Sequence, residues 1–260
     1  MTDVDLGFPA PAATDGPPTD QLTWLEHLSE LRRRILICLA ATAAAATLAW
    51  FGYNHLIHFM IGPYRHYLRY HPRTNISGGN LVITSPLEGF ATRLKISGYA
   101  GAVLAAPVWI YQLWRFVAPG LHRHERRYAA GFVMSSVALF AMGVGTAVLV
   151  FPKAIAWLIS VSGAGVAPLF SPSRYFGLYA LAGLVFGAVF TYPVFLVALE
   201  LIGVVSSAKL RHWRRYAIVI LCAAAAIITP SGVPFSFLAL ALPMVVFYEA
   251  SILVGRLLHK

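Results

Sequence analysis

The chain is 260 residues long, 58% hydrophobic and 12% charged, with a formal net charge of +10 and a mean hydropathy of +0.70. That balance excludes a soluble globular domain, whose surface must be largely polar, and predicts a membrane protein. Cys38 and Cys222 both lie in apolar runs, which argues against a disulfide framework or a cysteine metal site. No P-loop, dinucleotide glycine fingerprint or HExxH is present, and no histidine lies in the middle of an apolar run where a haem would need its axial ligand. An enzyme is not expected, nor a cofactor, a catalytic residue, a metal or a nucleic-acid partner.

In chain order, residues 1–21 hold Asp3, Asp5, Asp15 and Asp20 among Pro, Ala and Gly. They lack the basic and apolar regions of a signal peptide and read as a disordered acidic tail on the cytosolic side. Residues 22–256 form the membrane domain, followed by a short tail, 257–260. Thr23 and Glu26 make a capping box that opens the first helix before the membrane. Six apolar runs are long enough, or nearly so, to cross a bilayer core of about 30 Å: 35–53, 96–117, 128–151, 176–205, 216–228 and 235–254. The fifth has thirteen residues, about 20 Å of helix, and needs snorkelling by Arg214 and Arg215 or local thinning of the bilayer.

Between the first two runs lies a loop of about forty residues, in which Asn75-Ile76-Ser77 reads as loop and not as a glycosylation site. Its second half carries Ser85 as N-cap, Pro86 at the first helical position and Glu88 three after the cap. The second helix is thus expected to start outside the membrane and to bend at Pro107. Gly183 and Gly187 form a GxxxG that reads as ordinary helix packing. Of the twenty Lys and Arg, thirteen fall on the side of the termini and seven on the other. The positive-inside rule therefore places both termini in the cytoplasm.

Beyond the tail only six carboxylates remain: Glu26, Glu30, Glu88, Glu125, Glu200 and Glu249. Glu26 and Glu88 are accounted for by capping. Glu200 and Glu249 lie within about two turns of the cytosolic ends of their helices, a tolerable depth for a charge. Glu30, in LEHLSELRRR, and Glu125, in PGLHRHERR, have two readings each. They are either solvated partners of neighbouring arginines, worth little, or an acidic site at the cytosolic face suited to bidentate binding of guanidinium groups.

Six blocks in order, HLSELRRR (27–34), SPLEGFATRLKIS (85–97), APVWIYQLWRFVAPGLHRHERR (106–127), FGAVFTYP (186–193), TPSG (229–232) and LPMVVFYEASI (242–252), resemble TatC, the multi-spanning subunit of the twin-arginine translocase. The resemblance implies an all-α polytopic membrane protein of six transmembrane helices in a cup-like arrangement, with both termini cytoplasmic, in the plasma membrane of a prokaryote. It implies a receptor that binds twin-arginine signal peptides of folded cargo and assembles with TatB- and TatA-like single-span proteins. It also implies a homo-oligomer in the receptor complex, lipid contacts, and export driven by the proton-motive force. The binding positions it implies are Glu30, Glu125, His27, Arg32, Gln112, Phe116 and Arg127. Two departures stand out. Thr191 replaces the glutamate common before the fourth-span proline, and Gly232 falls where an aspartate is usual, leaving Thr191 and Thr229 to serve partner-helix docking. The alternatives are a small secondary transporter or channel, or a diverged TatC paralogue without translocation activity.

Overall fold

The computed structural model describes residues 24–70, 81, 83, 85–117, 129–161, 170–229 and 233–258. Within them the backbone forms eight helices: α1 (Trp24–Phe51), α2 (Tyr53–Tyr70), α3 (Glu88–Val117), α4 (Ala129–Val161), α5 (Pro172–Leu201), α6 (Ser207–His212), α7 (Arg214–Ile228) and α8 (Pro234–Leu258). No strand occurs among the described residues, as expected where a backbone in lipid must satisfy its own hydrogen bonds. Parts of α1, α3, α4, α5 and α8 are long and apolar enough to cross a membrane. The fifteen residues of α7 give only about 22 Å, short of a bilayer core of about 30 Å.

Lipid tails are as apolar as leucine, so the helices are held by close backbone approach and by polar contacts rather than by a hydrophobic drive between them. Three small residues mark the closest approaches. A Cβ on Gly101 of α3 would lie 2.6 Å from the Cα of Ala46 in α1, and one on Gly143 of α4 would lie 2.4 Å from the Phe186 carbonyl oxygen in α5. Gly255 of α8 leaves room for the Glu200 carboxyl group, whose Oε2 would be 1.2 Å from an added Cβ. Gly187, half of the GxxxG, lies against the Phe140 ring at the same α4–α5 crossing.

The larger core gathers Ile96, Phe151, Phe176, Tyr179, Phe186, Phe190, Leu240 and Met244 among its buried members. A smaller cluster forms where α3, α4 and α5 meet at the other end. There Trp114 lies between Phe132 and Phe195, with ring centroids at 5.1 and 5.2 Å, and its Nε1 donates to Ser136 Oγ at 2.9 Å. This indole is 2% exposed and fixes the rotation of α3 about its axis.

The two ends carry different polar chemistry. At one, Lys95 donates to Ser173 Oγ at 3.0 Å, Lys153 lies 5.2 Å from the Phe235 ring, and Arg93 covers Trp50 and Tyr53 while donating to the Trp50 carbonyl. At the opposite end Arg34 meets α3, Arg214 pairs with Glu249, and Tyr248 donates to the Leu210 carbonyl at 2.9 Å.

Four sequence expectations change. The first half of the long loop is helical: α2 buries Met60 and Ile61 and packs Leu56 and Ile57 on the core. The second helix begins at Glu88 rather than Pro86, after a turn in which Glu88 N–H donates to the Ser85 carbonyl. The Glu88 carboxylate accepts from the Ser171 hydroxyl, 83 positions away, so it ties α3 to the start of α5 and does more than cap. Glu200, expected within about two turns of its helix end at a depth tolerable for a charge, is there fully buried against α8. Helix α3 continues through Pro107, while Thr23 lies outside the described residues and Glu26 falls in α1 with its side chain outside them.

Replacing Gly143 with Ala is expected to force α4 off α5 and to cost about 1–3 kcal/mol, the usual penalty of overpacking. Gly145, two residues on, has nothing within 4 Å of an added Cβ, so Gly145→Ala should hold stability or raise it by up to about 1 kcal/mol. Thermal unfolding of the two variants in the same detergent checks the contrast.

Candidate functional site

On α1, Glu30, Arg34 and Ile37 follow at i, i+4 and i+7 and share one helix face. On α3, Gln112, Arg115 and Phe116 follow at i, i+3 and i+4. These faces meet. Arg34 is 9% exposed; its Nη1 donates to the backbone carbonyl of Gln112 at 3.1 Å, and its Nη2 forms an ion pair with Glu30 Oε1. The guanidinium carbon lies 5.8 Å from the centre of the Phe116 ring, within cation–π range.

Between the two helices a cleft of about 370 Å³ is lined by Glu30, Arg33, Arg34, Ile37, Gln112 and Arg115. Its chemistry is that of a prepared carboxylate. Arg34 holds one oxygen of Glu30, and an ionised carboxylate, with about four lone-pair sites, can accept from several donors at once. The Glu30 side chain is 36% exposed, so an external group can reach it. Three arginines against one glutamate make the described part of the cleft strongly cationic; a cationic ligand needs further negative charge there.

The sequence-predicted residues divide accordingly. Glu30, Gln112 and Phe116 come together. Arg32 lies about 200° around α1 from Glu30 and is exposed, away from the cleft. His27 is in α1, but its side chain lies outside the described residues, as do Glu125 and Arg127 altogether. Thr191 is buried and donates to the Gly187 carbonyl one turn back at 2.9 Å. Thr229, also buried, donates likewise to the Ala225 carbonyl at the end of α7. Neither lies at the cleft.

Two residues escaped the sequence reading. Arg34 was visible only as one of three consecutive arginines and as an i+4 partner of Glu30; nothing local pointed to a carbonyl 78 positions away. Trp114 sits two residues from Gln112 on the opposite, buried side of α3. Its bond to Ser136 and its two stacked rings orient the helix so that Gln112 faces α1.

The family model for TatC, described as Sec-independent protein translocase protein, matches residues 26–243. The TatC protein of Frankia casuarinae is 39% identical over 236 residues, 89% of this chain and 65% of that protein. The TatC protein of Koribacter versatilis is 36% identical over 239 residues, 92% of this chain and 86% of its own length. The chain thus spans just under two thirds of the Frankia relative. A crystal structure of the twin-arginine translocase receptor TatC in DDM superposes with a TM-score of 0.73 at 30% identity, covering 88% of this chain and 99% of that one. A second TatC receptor structure gives 0.69 at 29% identity, covering 90% and 100%. The chain belongs to the TatC family of Sec-independent protein translocase proteins.

Proposed function

We propose that this chain is the receptor and scaffold subunit of a twin-arginine translocase, and that its α1–α3 cleft receives the paired arginines of a signal peptide. The observation that carries the reading is the Arg34-centred junction, which gathers Glu30, Gln112 and Phe116 at one end of the bundle. Membership in the family favours it over a small transporter or channel.

In this reading a peptide guanidinium binds Glu30 beside Arg34, and the second arginine is taken by Glu125. In the sequence that residue lies between α3 and α4. Two carboxylates for two guanidinium groups offset the cationic lining. Arg34 acts as a positioning residue, holding the Glu30 rotamer so that little side-chain freedom is lost when the ligand arrives. The Phe116 ring extends the cleft with a face on which a guanidinium can stack.

The same proposal places the termini and the cleft in the cytoplasm and the chain in the inner membrane of a prokaryote. TatB- and TatA-like single-span proteins are its partners, and Thr191 and Thr229 are the positions assigned to their docking. Further copies of the chain join the receptor complex, and transport draws on the proton-motive force. No catalytic step is assigned to the chain; its work is recognition and assembly.

Two predictions follow from the site's charges. For the full chain in detergent, Glu30→Gln and Glu125→Gln should each weaken binding of a twin-arginine peptide by about 10- to 100-fold, the range for a lost hydrogen bond to a charged group. Unchanged affinity in both variants overturns the site. Arg34→Lys keeps the charge but cannot fork between a carboxylate and a carbonyl. It should lose about tenfold in affinity, narrow the preference for twin-arginine over twin-lysine peptide, and lower the unfolding temperature, because the bond to the Gln112 carbonyl goes with the fork. Titration calorimetry with both peptides reads each outcome.

A further inference from the structure

A second concavity has no part in the proposed recognition site. At the end of the bundle that also carries Arg34, α5, α6, α7 and α8 enclose a groove of about 860 Å³. Its walls are apolar, with Leu196 from α5, Leu210 from α6 and Ala217, Ile220 and Leu221 from α7. Among the described lining residues Lys209 is the one charge, and its ammonium lies 5.8 Å from the centre of the Trp213 ring, which lines the groove too.

The depth of the two regions differs in an ordered way. Trp213 and Tyr216 are 55% and 53% exposed, and exposed Trp and Tyr mark the level of lipid headgroups. Ala217 to Leu221 lie one to two turns deeper along α7, at about 1.5 Å per residue, where α7 is purely apolar (AIVIL). The groove is therefore cationic and aromatic at headgroup level and hydrocarbon-lined below it.

Charge decides between occupants. Lys209, Arg211, Arg214 and Arg215 crowd the α6–α7 junction, and among the described residues only Arg214 has a carboxylate partner there, Glu249. An apolar partner helix would fill the walls but leave that cationic rim unmatched. A diacyl lipid with an anionic headgroup matches both levels, and basic pockets between helices are an established way of holding such headgroups.

We propose that the α5–α8 groove is a binding site for one anionic phospholipid, its phosphate at Lys209 and Trp213 and its acyl chains along Leu196, Ala217 and Leu221. The short α7 gives the site a role: a retained lipid would seal the bundle where α7 fails to span the full hydrocarbon thickness.

Native mass spectrometry of the full chain in detergent, titrated with phosphatidylglycerol or phosphatidylcholine, tests this. The unaltered protein should retain one phosphatidylglycerol and discriminate against phosphatidylcholine. Lys209→Glu, at an exposed position, should weaken phosphatidylglycerol retention by about 30-fold, from roughly one headgroup interaction per unit of charge removed or reversed. Ala217→Trp, which fills the groove without touching its charge, should reduce retention to the level of phosphatidylcholine. Equal retention of the two lipids by the unaltered protein overturns the proposal, as does full retention by Lys209→Glu. Full retention by Ala217→Trp assigns the lipid to the general surface and equally overturns the groove. If Ala217→Trp instead releases a co-purifying single-span protein and leaves lipid retention intact, the groove belongs to a helix.

Discussion

The arrangement of this protein depends on one buried cation. Arg34 precedes a stretch that is apolar from Ile35 to Ala46 apart from Thr42, and it is buried against α3, where a charge left without partners costs several kcal/mol. Its cost is offset by three partners: the Glu30 carboxylate, the Gln112 carbonyl and the Phe116 ring. The first is on its own helix and the other two are on α3. The charge can be accommodated only if α1 and α3 lie against each other in one register, so an electrostatic necessity becomes a structural constraint. Breaking such a pair by removing one member leaves the other buried and is far more disruptive than the net worth of the pair implies.

The remainder of the α1–α3 contact agrees with that register. Gly101 lets the backbone of α3 approach Ala46, and the Trp109 indole donates to Thr42 Oγ1 and the Cys38 carbonyl. Small residues at the middle of the crossing, an indole between and a guanidinium at the end form a graded seam. Trp114 supplies the complementary lock toward α4 and α5, since its bond to Ser136 and its stacking leave α3 no freedom to turn Gln112 away. The Glu30–Arg34 side of the cleft is thus held by packed helices, the kind of rigid support that suits the proposed recognition of a planar guanidinium.

Much of this was legible in the sequence, and the failures have physical reasons. Contiguous apolar runs identify helices that are apolar on every side, toward lipid and toward the bundle alike, so α1, α3, α4, α5 and α8 are readable by length alone. The apolar residues of α2 are interleaved with His, Arg and Tyr and bury only one face, so a search for membrane-length runs passed it over. Glu88 was assigned to its own turn because a capping box is a local pattern, whereas its contact with Ser171 belongs to the tertiary structure. Glu200 was placed by depth along its helix, yet burial depends on the neighbour: Gly255 of α8 opens the space its carboxyl group fills. The resemblance implied a set of binding positions by residue type, and among those the structure describes, helix phase determines which meet. That phase joins Glu30 to Gln112 and Phe116 and leaves Arg32 outside.

The central claim is that Arg34 pins the first turns of α1 to α3. Spin labels on the exposed positions Leu28 and Leu113, with the interlabel distance measured by pulsed electron resonance in lipid nanodiscs, test it most directly. A single narrow distance is expected for the native residue, and a broader distribution shifted to longer distance for Arg34→Met, with the seam at Gly101 and Trp109 still closed. An identical narrow distance in both proteins would contradict the account.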